Sequence, residues 1–271
     1  MDWTGFGLNA AVTLGVTWVL LTLTWAVAVR IGRHSIVDVV WGSGFVVVAA
    51  VSLLLARAQD AGTAGRGWLV LALTAAWGIR LAVHIARRSI GAGEDPRYAE
   101  IQDRATGSPA AHMYRRVYLT QAAALWFVSL PVQVAMYQDG ALWSGASLVV
   151  TILGVLAWGT GLFFEAVGDW QLERFKADPA NRGKVNDRGL WRYTRHPNYF
   201  GDACVWWGLF LLTAGHWSGL VFVLSPVVMT WTLARGTGAP LTEKRMASSR
   251  QGYAEYVART SGFLPRPPKK T

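Results

Sequence analysis

Seven long stretches of this 271-residue chain contain almost no charged residues, and this feature limits its possible folds most strongly. They cover residues 9–29, 36–56, 68–86, 117–136, 141–168, 199–214 and 217–234. About 20 predominantly apolar residues in a helix span the ~30 Å hydrocarbon layer of a membrane. A soluble domain carries about 25% charged residues, whereas this chain carries 15%. The pattern therefore predicts an all-α, polytopic integral membrane protein with about seven transmembrane helices, of which 199–214 is the shortest.

The distribution of Lys and Arg predicts the orientation of these helices. If the N-terminus lies outside, the inside segments are 30–35, 87–116, 169–198 and 235–271, and they hold 23 of the 26 Lys and Arg residues. Basic residues are retained on the cytoplasmic side. We therefore expect a multi-pass protein of the cell membrane with its N-terminus outside and its C-terminus in the cytoplasm. Membrane topology, together with contact with anionic membrane lipids, explains the net charge of +10. The charge therefore does not require a nucleic-acid partner.

Residue patterns for a metal site or a disulfide are missing from the sequence. The single cysteine, Cys204, lies in an apolar stretch and is interpreted as a small packing residue. The five histidines are scattered, and no closely spaced Cys or His pairs accompany them. We expect no metal, and a single domain over residues 1–271 whose polar binding surfaces face the cytoplasm.

Several ionisable residues lie within the apolar stretches, where each costs about 2.5–3.5 kcal/mol near a helix centre and needs a partner or a function. Arg80, His84 and Arg87 are spaced four and three apart, so they share one helix face. Asp38 lies at a similar depth in the second stretch. One interpretation is a polar pocket in which Asp38 and His84 form a proton-donating pair suited to general acid catalysis. In the other, Asp38 neutralises Arg80 and only fixes helix packing.

The segment 189–202, GLWRYTRHPNYFGD, concentrates hydrogen-bond donors in front of an apolar stretch. Its arginines can bind phosphate or carboxylate oxygens, and its tyrosines can stack on a flat ring or donate a hydrogen bond from the hydroxyl group. Pro197 disfavours a helical conformation at His196, so the next helix can start near Asn198 and direct its N–H groups at an anion. This predicts a nucleotide-cofactor site at the cytoplasmic face of the membrane. The alternative is an anchor for lipid headgroups.

The motif RHPNYFGD, preceded by NDRGLWRYT and followed by VWWG, resembles the signature of the steroid 5α-reductase superfamily. From about residue 30 to 267 the chain is similar to its bacterial branch, the DUF1295 family of membrane proteins. The RHPxYxG element also marks isoprenylcysteine carboxyl methyltransferases and related phospholipid methyltransferases, which bind S-adenosylmethionine. Further similar segments follow in the family's order: HSIVDVVWGSGF (34–45), WGIRLAVHIARRSIGAGEDPRY (77–98), EAVGDWQLERFK (165–176), PLTEKR (240–245) and QGYAEYVARTSGFLP (251–265).

The resemblance implies a seven-helix reductase that binds NADPH in a cytoplasm-facing cavity and reduces a carbon–carbon double bond conjugated to a carbonyl. In such reductases a carboxylate on helix two and a tyrosine on helix three hold the enone oxygen. Asp38 matches the carboxylate, His84 stands at the tyrosine's place, and Arg87 matches an arginine three residues later. The implied catalytic residues are therefore Asp38, His84 and Arg87. An imidazole in place of the tyrosine can still donate a hydrogen bond to a developing enolate.

The resemblance also implies a set of cofactor-binding residues. Lys184, Arg188 and Arg235 would supply charge for a 2′-phosphate, and the tail 235–271 would close the cofactor cavity. The complete implied set is Asn181, Lys184, Arg188, Tyr193, Arg195, His196, Asn198, Tyr199, Asp202, Arg235, Glu243 and Tyr253.

Three functions are compatible with the sequence, and its residues favour the first. An NADPH-dependent reductase would act on a lipophilic small molecule (steroid-like, fatty-acyl or isoprenoid) that enters from the bilayer. An S-adenosylmethionine-dependent methyltransferase of the isoprenylcysteine carboxyl methyltransferase type would make little use of Asp38 and His84. Those enzymes commonly carry an adjacent Glu pair in the tail, where this chain has the single Glu243. A non-enzymatic lipid-binding or assembly protein would not need costly ionisable residues in its apolar stretches.

Overall fold

The computed structural model describes residues 1–140, 142 and 145–269, without the side chain of residue 146. All regular secondary structure in these residues is helical. Six segments are long and apolar enough to cross a membrane: Trp3–Ile31, Ile36–Ala58, Ala64–Ser89, Pro109–Ala135, Ser147–Ala177 and Trp217–Ser249. The predicted all-α, polytopic membrane fold is thus confirmed, while the orientation and the number of seven spans stay predictions.

The shortest predicted span, 199–214, is helical but is not one of the six segments. It forms most of the helix Pro197–Ala214, whose first turns contain Asn198 and Asp202 and are therefore less apolar than the other spans. The last predicted span, 217–234, consists of the helices Trp217–Leu220 and Leu224–Ala234 with a turn between them. Positions 141, 143 and 144 of the predicted fifth span, and 270 and 271 of the predicted tail, lie outside the described residues.

Packing divides the described chain into two units. The first comprises Met1–Leu148 and Leu212–Ser225, and the second comprises Val149–Leu211 and the described residues from Pro226 on. This is a division of internal contacts, and the single domain over residues 1–271 stays a prediction.

The first unit is built on three long helices and a fourth, interrupted one. Helices α2 (Ile36–Ala58) and α3 (Ala64–Ser89) cross at Gly42 and Gly78, where a Cβ atom on Gly42 would lie 2.5 Å from the carbonyl oxygen of Gly78. Small residues at such crossings allow the backbones of membrane helices to approach closely. The helices up to residue 137 are α1 (Trp3–Ile31), α2 (Ile36–Ala58), α3 (Ala64–Ser89), α4 (Pro96–Asp103), α5 (Pro109–Met113), α6 (Leu119–Val128) and α7 (Leu130–Tyr137), with one π-helical turn (Tyr114–Tyr118) before α6.

Polar side chains inside the first unit are paired with one another. Gln133 is fully buried on α7, and its Oε1 accepts from Asn9 Nδ2 at 3.2 Å and from Thr13 Oγ1 at 2.8 Å. Such side-chain hydrogen bonds join membrane helices because a polar group left unpaired in an apolar interior is costly. They tie α1 to α7.

The second unit contains the segment singled out in the sequence. Helices α8 (Gly145–Ala177) and α9 (Pro197–Ala214) cross at Gly161 and Gly201, where a Cβ atom on Gly161 would lie 2.5 Å from the carbonyl oxygen of Gly201. This crossing positions the start of α9, and with it the RHPN motif (residues 195–198), against α8. The remaining helices of the chain are α8 (Gly145–Ala177), α9 (Pro197–Ala214), α10 (Trp217–Leu220, in the first unit), α11 (Leu224–Ala234), α12 (Ala239–Ser249) and α13 (Tyr253–Arg259), with 3₁₀ turns at Pro179–Asn181 and Gly189–Arg192.

Candidate functional site

Asp38, in the first turn of α2, lies in a polar cluster of the first unit that we call the Asp38 cluster: Asp38, Arg97, Tyr98 and Gln121. The Tyr98 hydroxyl donates to Asp38 Oδ1 at 2.5 Å, and Arg97 Nη2 donates to Asp38 Oδ2 at 2.7 Å. Gln121 Nε2 donates to the Tyr98 hydroxyl oxygen at 3.5 Å. Both oxygens of the carboxylate are thus engaged, one by a neutral donor and one by a cation.

Local sequence explains how α4 presents Arg97 and Tyr98. Asp95 caps this helix by accepting from the Arg97 backbone N–H at 2.8 Å, and Pro96 occupies the first helical position. The preceding Glu94 accepts from the backbone N–H of Ser35 at 2.9 Å, at the start of α2. A carboxylate is favourable at the positive end of a helix. Glu94 therefore holds the α3–α4 loop beside the turn that carries Asp38.

The Tyr98 hydroxyl is kept in its protonated form. Tyr98 is 5% exposed, and burial, followed by the nearby Asp38 carboxylate, raises the pKa of its hydroxyl. Ionising it would place a second negative charge beside Asp38 in a poorly solvated position. Tyr98 is therefore a hydrogen-bond donor at any physiological pH.

The three predicted catalytic residues lie on two helices of the first unit. His84 is half-buried and Arg87 is exposed, both toward the end of α3. The pairing of Asp38 with His84, like its pairing with Arg80, stays a prediction. Sequence reasoning missed Arg97 and Tyr98, the partners that the structure places on Asp38. The Asp-Pro pair before them signals a helix start, but nothing in the chain spacing predicts contact with a residue about 60 positions earlier.

Five residues form a second polar group, the Glu243 cluster, in the second unit: Arg195, His196, Tyr199, Thr242 and Glu243. Glu243 Oε1 accepts from Arg195 Nε at 2.9 Å and lies 3.0 Å from His196 Nε2. Because a carboxylate only accepts hydrogen bonds, His196 carries a proton on Nε2. The His196 ring stacks on Tyr199 with 5.2 Å between ring centroids, and the Tyr199 hydroxyl lies 3.3 Å from Thr242 Oγ1. Four of these five residues belong to the predicted cofactor-binding set.

Backbone carbonyl groups of the tail dock onto the RHPN motif. Arg195 Nη1 donates to the carbonyl oxygen of Thr260 at 2.7 Å, and the Arg195 backbone N–H donates to that of Ser261 at 2.9 Å. Thr194 Oγ1 donates to the carbonyl oxygen of Phe263 at 2.8 Å. Arg195 therefore ties the start of α9 to two parts of the tail, to α12 through Glu243 and to the residues after α13 through backbone carbonyls. Sequence reasoning missed these carbonyls because every residue type carries one.

Tyr253 presents a buried hydroxyl close to the Glu243 cluster. The residue is 6% exposed, and within the part of the chain that the structure describes its hydroxyl has no hydrogen-bond partner. Burial, and after it the charge of Glu243, raises the pKa of this hydroxyl to about 12. An unsatisfied buried polar group costs about 1–3 kcal/mol. Tyr253 is therefore a protonated donor in a position where an acceptor from a ligand would be favourable.

The remaining predicted cofactor residues are dispersed over the second unit. The Asn181 amide donates to the carbonyl oxygen of Phe175 at 3.0 Å. Asn198 Oδ1 accepts from the Tyr199 backbone N–H at 3.1 Å, and Asp202 follows one turn later on α9. The other four are exposed on loops: Lys184, Arg188, Tyr193 and Arg235.

A cavity of about 780 Å³ lies between the loop 187–192 and the C-terminal tail. We call it the basic cavity, and its charged and hydroxyl-bearing lining residues are Asp187, Arg188, Arg192, Arg259, Thr260 and Lys269. The predicted cofactor residue Arg188 is among them. Within the described residues, no group of three or more His, Cys, Asp or Glu side chains is arranged to hold a metal ion.

Together, the apolar helices and the two polar clusters define a multi-pass membrane protein with candidate binding groups in each packing unit. A family model described as "Protein of unknown function (DUF1295)" matches residues 24–260. The chain belongs to the DUF1295 family, which confirms the recognition made from its motifs. It is similar to an uncharacterized protein of Schizosaccharomyces pombe, with 25% identity over 288 residues that cover 94% of this chain and 79% of the relative. No solved structure matches the chain significantly.

Proposed function

We propose that this protein is an NADPH-dependent reductase of a carbon–carbon double bond conjugated to a carbonyl in a lipophilic substrate. The observation that carries the proposal is the hydrogen bond of 2.5 Å between the buried Tyr98 hydroxyl and Asp38. When the double bond accepts hydride, negative charge develops on the carbonyl oxygen, and a fixed donor stabilises it. The resemblance to the steroid 5α-reductase superfamily supports the same activity.

Each residue of the Asp38 cluster has a distinct part in this proposal. The Tyr98 hydroxyl rotates from Asp38 toward the substrate's carbonyl oxygen and donates a hydrogen bond to the enolate that forms. Asp38 orients the hydroxyl beforehand, and Arg97, at 2.7 Å, holds the carboxylate in place. His84 is proposed as the general acid that delivers the proton, with Arg87 beside it on α3.

The second unit is proposed to bind the cofactor at the cytoplasmic face. NADPH would supply the hydride when bound. The buried Tyr253 hydroxyl fits such a ligand because it lacks an acceptor within the described residues, and the exposed Tyr193 and Lys184 offer an aromatic ring and a positive charge. The side chains of both Arg195 and His196 already have Glu243 as their hydrogen-bond partner. These two residues are therefore proposed to hold the tail, and with it Tyr253, in position.

Isotope transfer tests the proposed reaction directly. Purified protein in proteoliposomes is incubated with NADPH carrying deuterium on either face of nicotinamide C4, and with a panel of a steroid 4-en-3-one, a 2-enoyl thioester and an isoprenoid enal. We expect mass spectrometry to detect one deuterium at the β-carbon of a reduced product from at least one substrate, for one of the two labelled faces. Asp38→Asn is expected to abolish the product.

The same proteoliposomes, supplied with methyl-labelled S-adenosylmethionine and membrane lipids, provide the competing assay. Methyl transfer to a lipid without deuterium transfer from NADPH would contradict the proposal and favour the methyltransferase. Absence of both reactions across the panel would count against the reductase and favour a non-enzymatic role.

A further inference from the structure

The basic cavity is lined by more cationic side chains than carboxylates. Arg188, Arg192, Arg259 and Lys269 line the cavity together with one carboxylate, Asp187. Asp187 forms an ion pair with Arg259. Among the described residues, no carboxylate is paired with the other three cations. Like charges around one cavity repel each other, so this arrangement favours the binding of an anion.

The wall that carries Lys269 is folded into place by specific backbone contacts. The Arg266 backbone N–H donates to the carbonyl oxygen of Tyr193 at 2.9 Å, and the Lys269 backbone N–H donates to that of Arg259 at 2.9 Å. Pro267 and Pro268, between these two contacts, restrict the backbone further. The position of Lys269 is therefore determined by the fold of the tail, which brings it to the two cations of the loop 187–192, Arg188 and Arg192.

The lining favours a phosphate monoester over other anions. Arginine binds phosphate oxygens through paired donors, and a monoester carries a charge of about −1.5 to −2 at neutral pH, whereas a diester carries about −1. The volume of about 780 Å³ lies within the range of about 300–1,000 Å³ typical of small-molecule pockets. Pro268 is the apolar side chain among the lining residues, so an acyl chain finds little contact there. The phosphate's organic group should therefore be polar.

We propose that the basic cavity binds a phosphate monoester, held by Arg188, Arg192 and Lys269. Two sources offer this chemistry: a soluble nucleotide monoester and the headgroup of a monoester lipid such as phosphatidic acid. Arg188 is also one of the residues that the resemblance implies for a 2′-phosphate, whereas Arg192 and Lys269 belong to no predicted set. Monoester binding requires neither hydride transfer nor the Asp38 cluster, so it is tested apart from the reductase activity.

Binding of adenosine 2′-monophosphate to the detergent-purified protein, measured by calorimetry and thermal shift, tests the soluble source. Each charge-assisted hydrogen bond contributes about 1.5–3 kcal/mol, so we expect the double variant Arg192→Gln/Lys269→Gln to weaken binding at least about 10-fold. Arg104→Gln/Arg182→Gln is the matched control, because it removes two charges from exposed residues that do not line the cavity. Adenosine 2′,3′-cyclic monophosphate, a diester of the same nucleoside, is expected to bind at least about 10-fold more weakly than the monoester.

Nanodiscs test the lipid source. Stabilisation by phosphatidic acid relative to phosphatidylcholine, lost in the double variant, would assign the monoester site to lipid headgroups. Binding that the double variant leaves unchanged, equal affinity for the diester, or no binding in either arm would overturn the proposal. Because adenosine 2′-monophosphate lacks nicotinamide, its failure to bind leaves the deuterium-transfer result unaffected, and failure of deuterium transfer leaves this result unaffected.

Discussion

Tyr98→Phe is expected to lower kcat for enone reduction by about 10²–10³-fold, the range observed when one donor to a developing oxyanion is removed. The substitution removes the hydroxyl that lies 2.5 Å from Asp38 and keeps the buried ring. The affinity for NADPH should stay close to that of the wild type, because Tyr98 is not one of the proposed cofactor residues. Steady-state kinetics in proteoliposomes and calorimetry with NADPH measure the two effects separately.

Tyr118→Phe is the matched control for this prediction. Tyr118 is also a fully buried tyrosine of the first unit, but its hydroxyl contacts His34 Nδ1 at 3.0 Å and has no hydrogen bond to Asp38. It should therefore share any general effect of removing a buried hydroxyl and keep nearly wild-type kcat. Wild-type turnover of Tyr98→Phe would remove this hydroxyl from the mechanism. Wild-type turnover of both Asp38→Asn and His84→Ala would likewise exclude the predicted acid pair.

Glu243→Ala is expected to destabilise the second unit by about 1.5–3 kcal/mol, the contribution typical of hydrogen bonds to charged groups. The substitution leaves Arg195, which is 14% exposed, and His196, which is 3% exposed, without their shared acceptor. The tail should then undock from the RHPN motif. Thermal unfolding in detergent and the rate of tryptic cleavage after Arg259 report these two effects. NADPH affinity should fall together with tail docking, because the tail carries Tyr253.

Glu255→Ala provides the comparison on a neighbouring helix. Glu255 is exposed in the first turn of α13, and its removal changes the net charge equally. Surface substitutions of this kind usually change stability by less than about 0.5 kcal/mol. Equal unfolding temperatures and equal cleavage rates for the two variants would show that Glu243 does not anchor the tail.

The apolar stretches were sufficient to predict the membrane helices, since burial in lipid requires long runs of apolar residues. The predicted span 36–56 lies within the helix Ile36–Ala58, and 9–29 lies within Trp3–Ile31. The turn between Trp217–Leu220 and Leu224–Ala234 was not predicted. It lies in a run of apolar residues, so hydropathy carries no sign of it.

Local chemistry around the RHPN motif was also predictable, because proline restricts its neighbours directly. The helix expected near Asn198 begins at Pro197. The contacts of the two clusters were not predictable. Glu243 reaches His196 across 47 positions, and Tyr98 reaches Asp38 across 60. Chain spacing contains no information on such distant pairs.

The most direct test of the account is which cofactor the detergent-purified protein binds when NADPH, NADH and S-adenosylmethionine are compared by calorimetry. We predict micromolar binding of NADPH, weaker binding of NADH, and no response to S-adenosylmethionine. Weakened NADPH binding in Tyr253→Phe would connect that result to the buried hydroxyl beside Glu243. Binding of S-adenosylmethionine without binding of NADPH would contradict the account and assign the chain to methyl transfer.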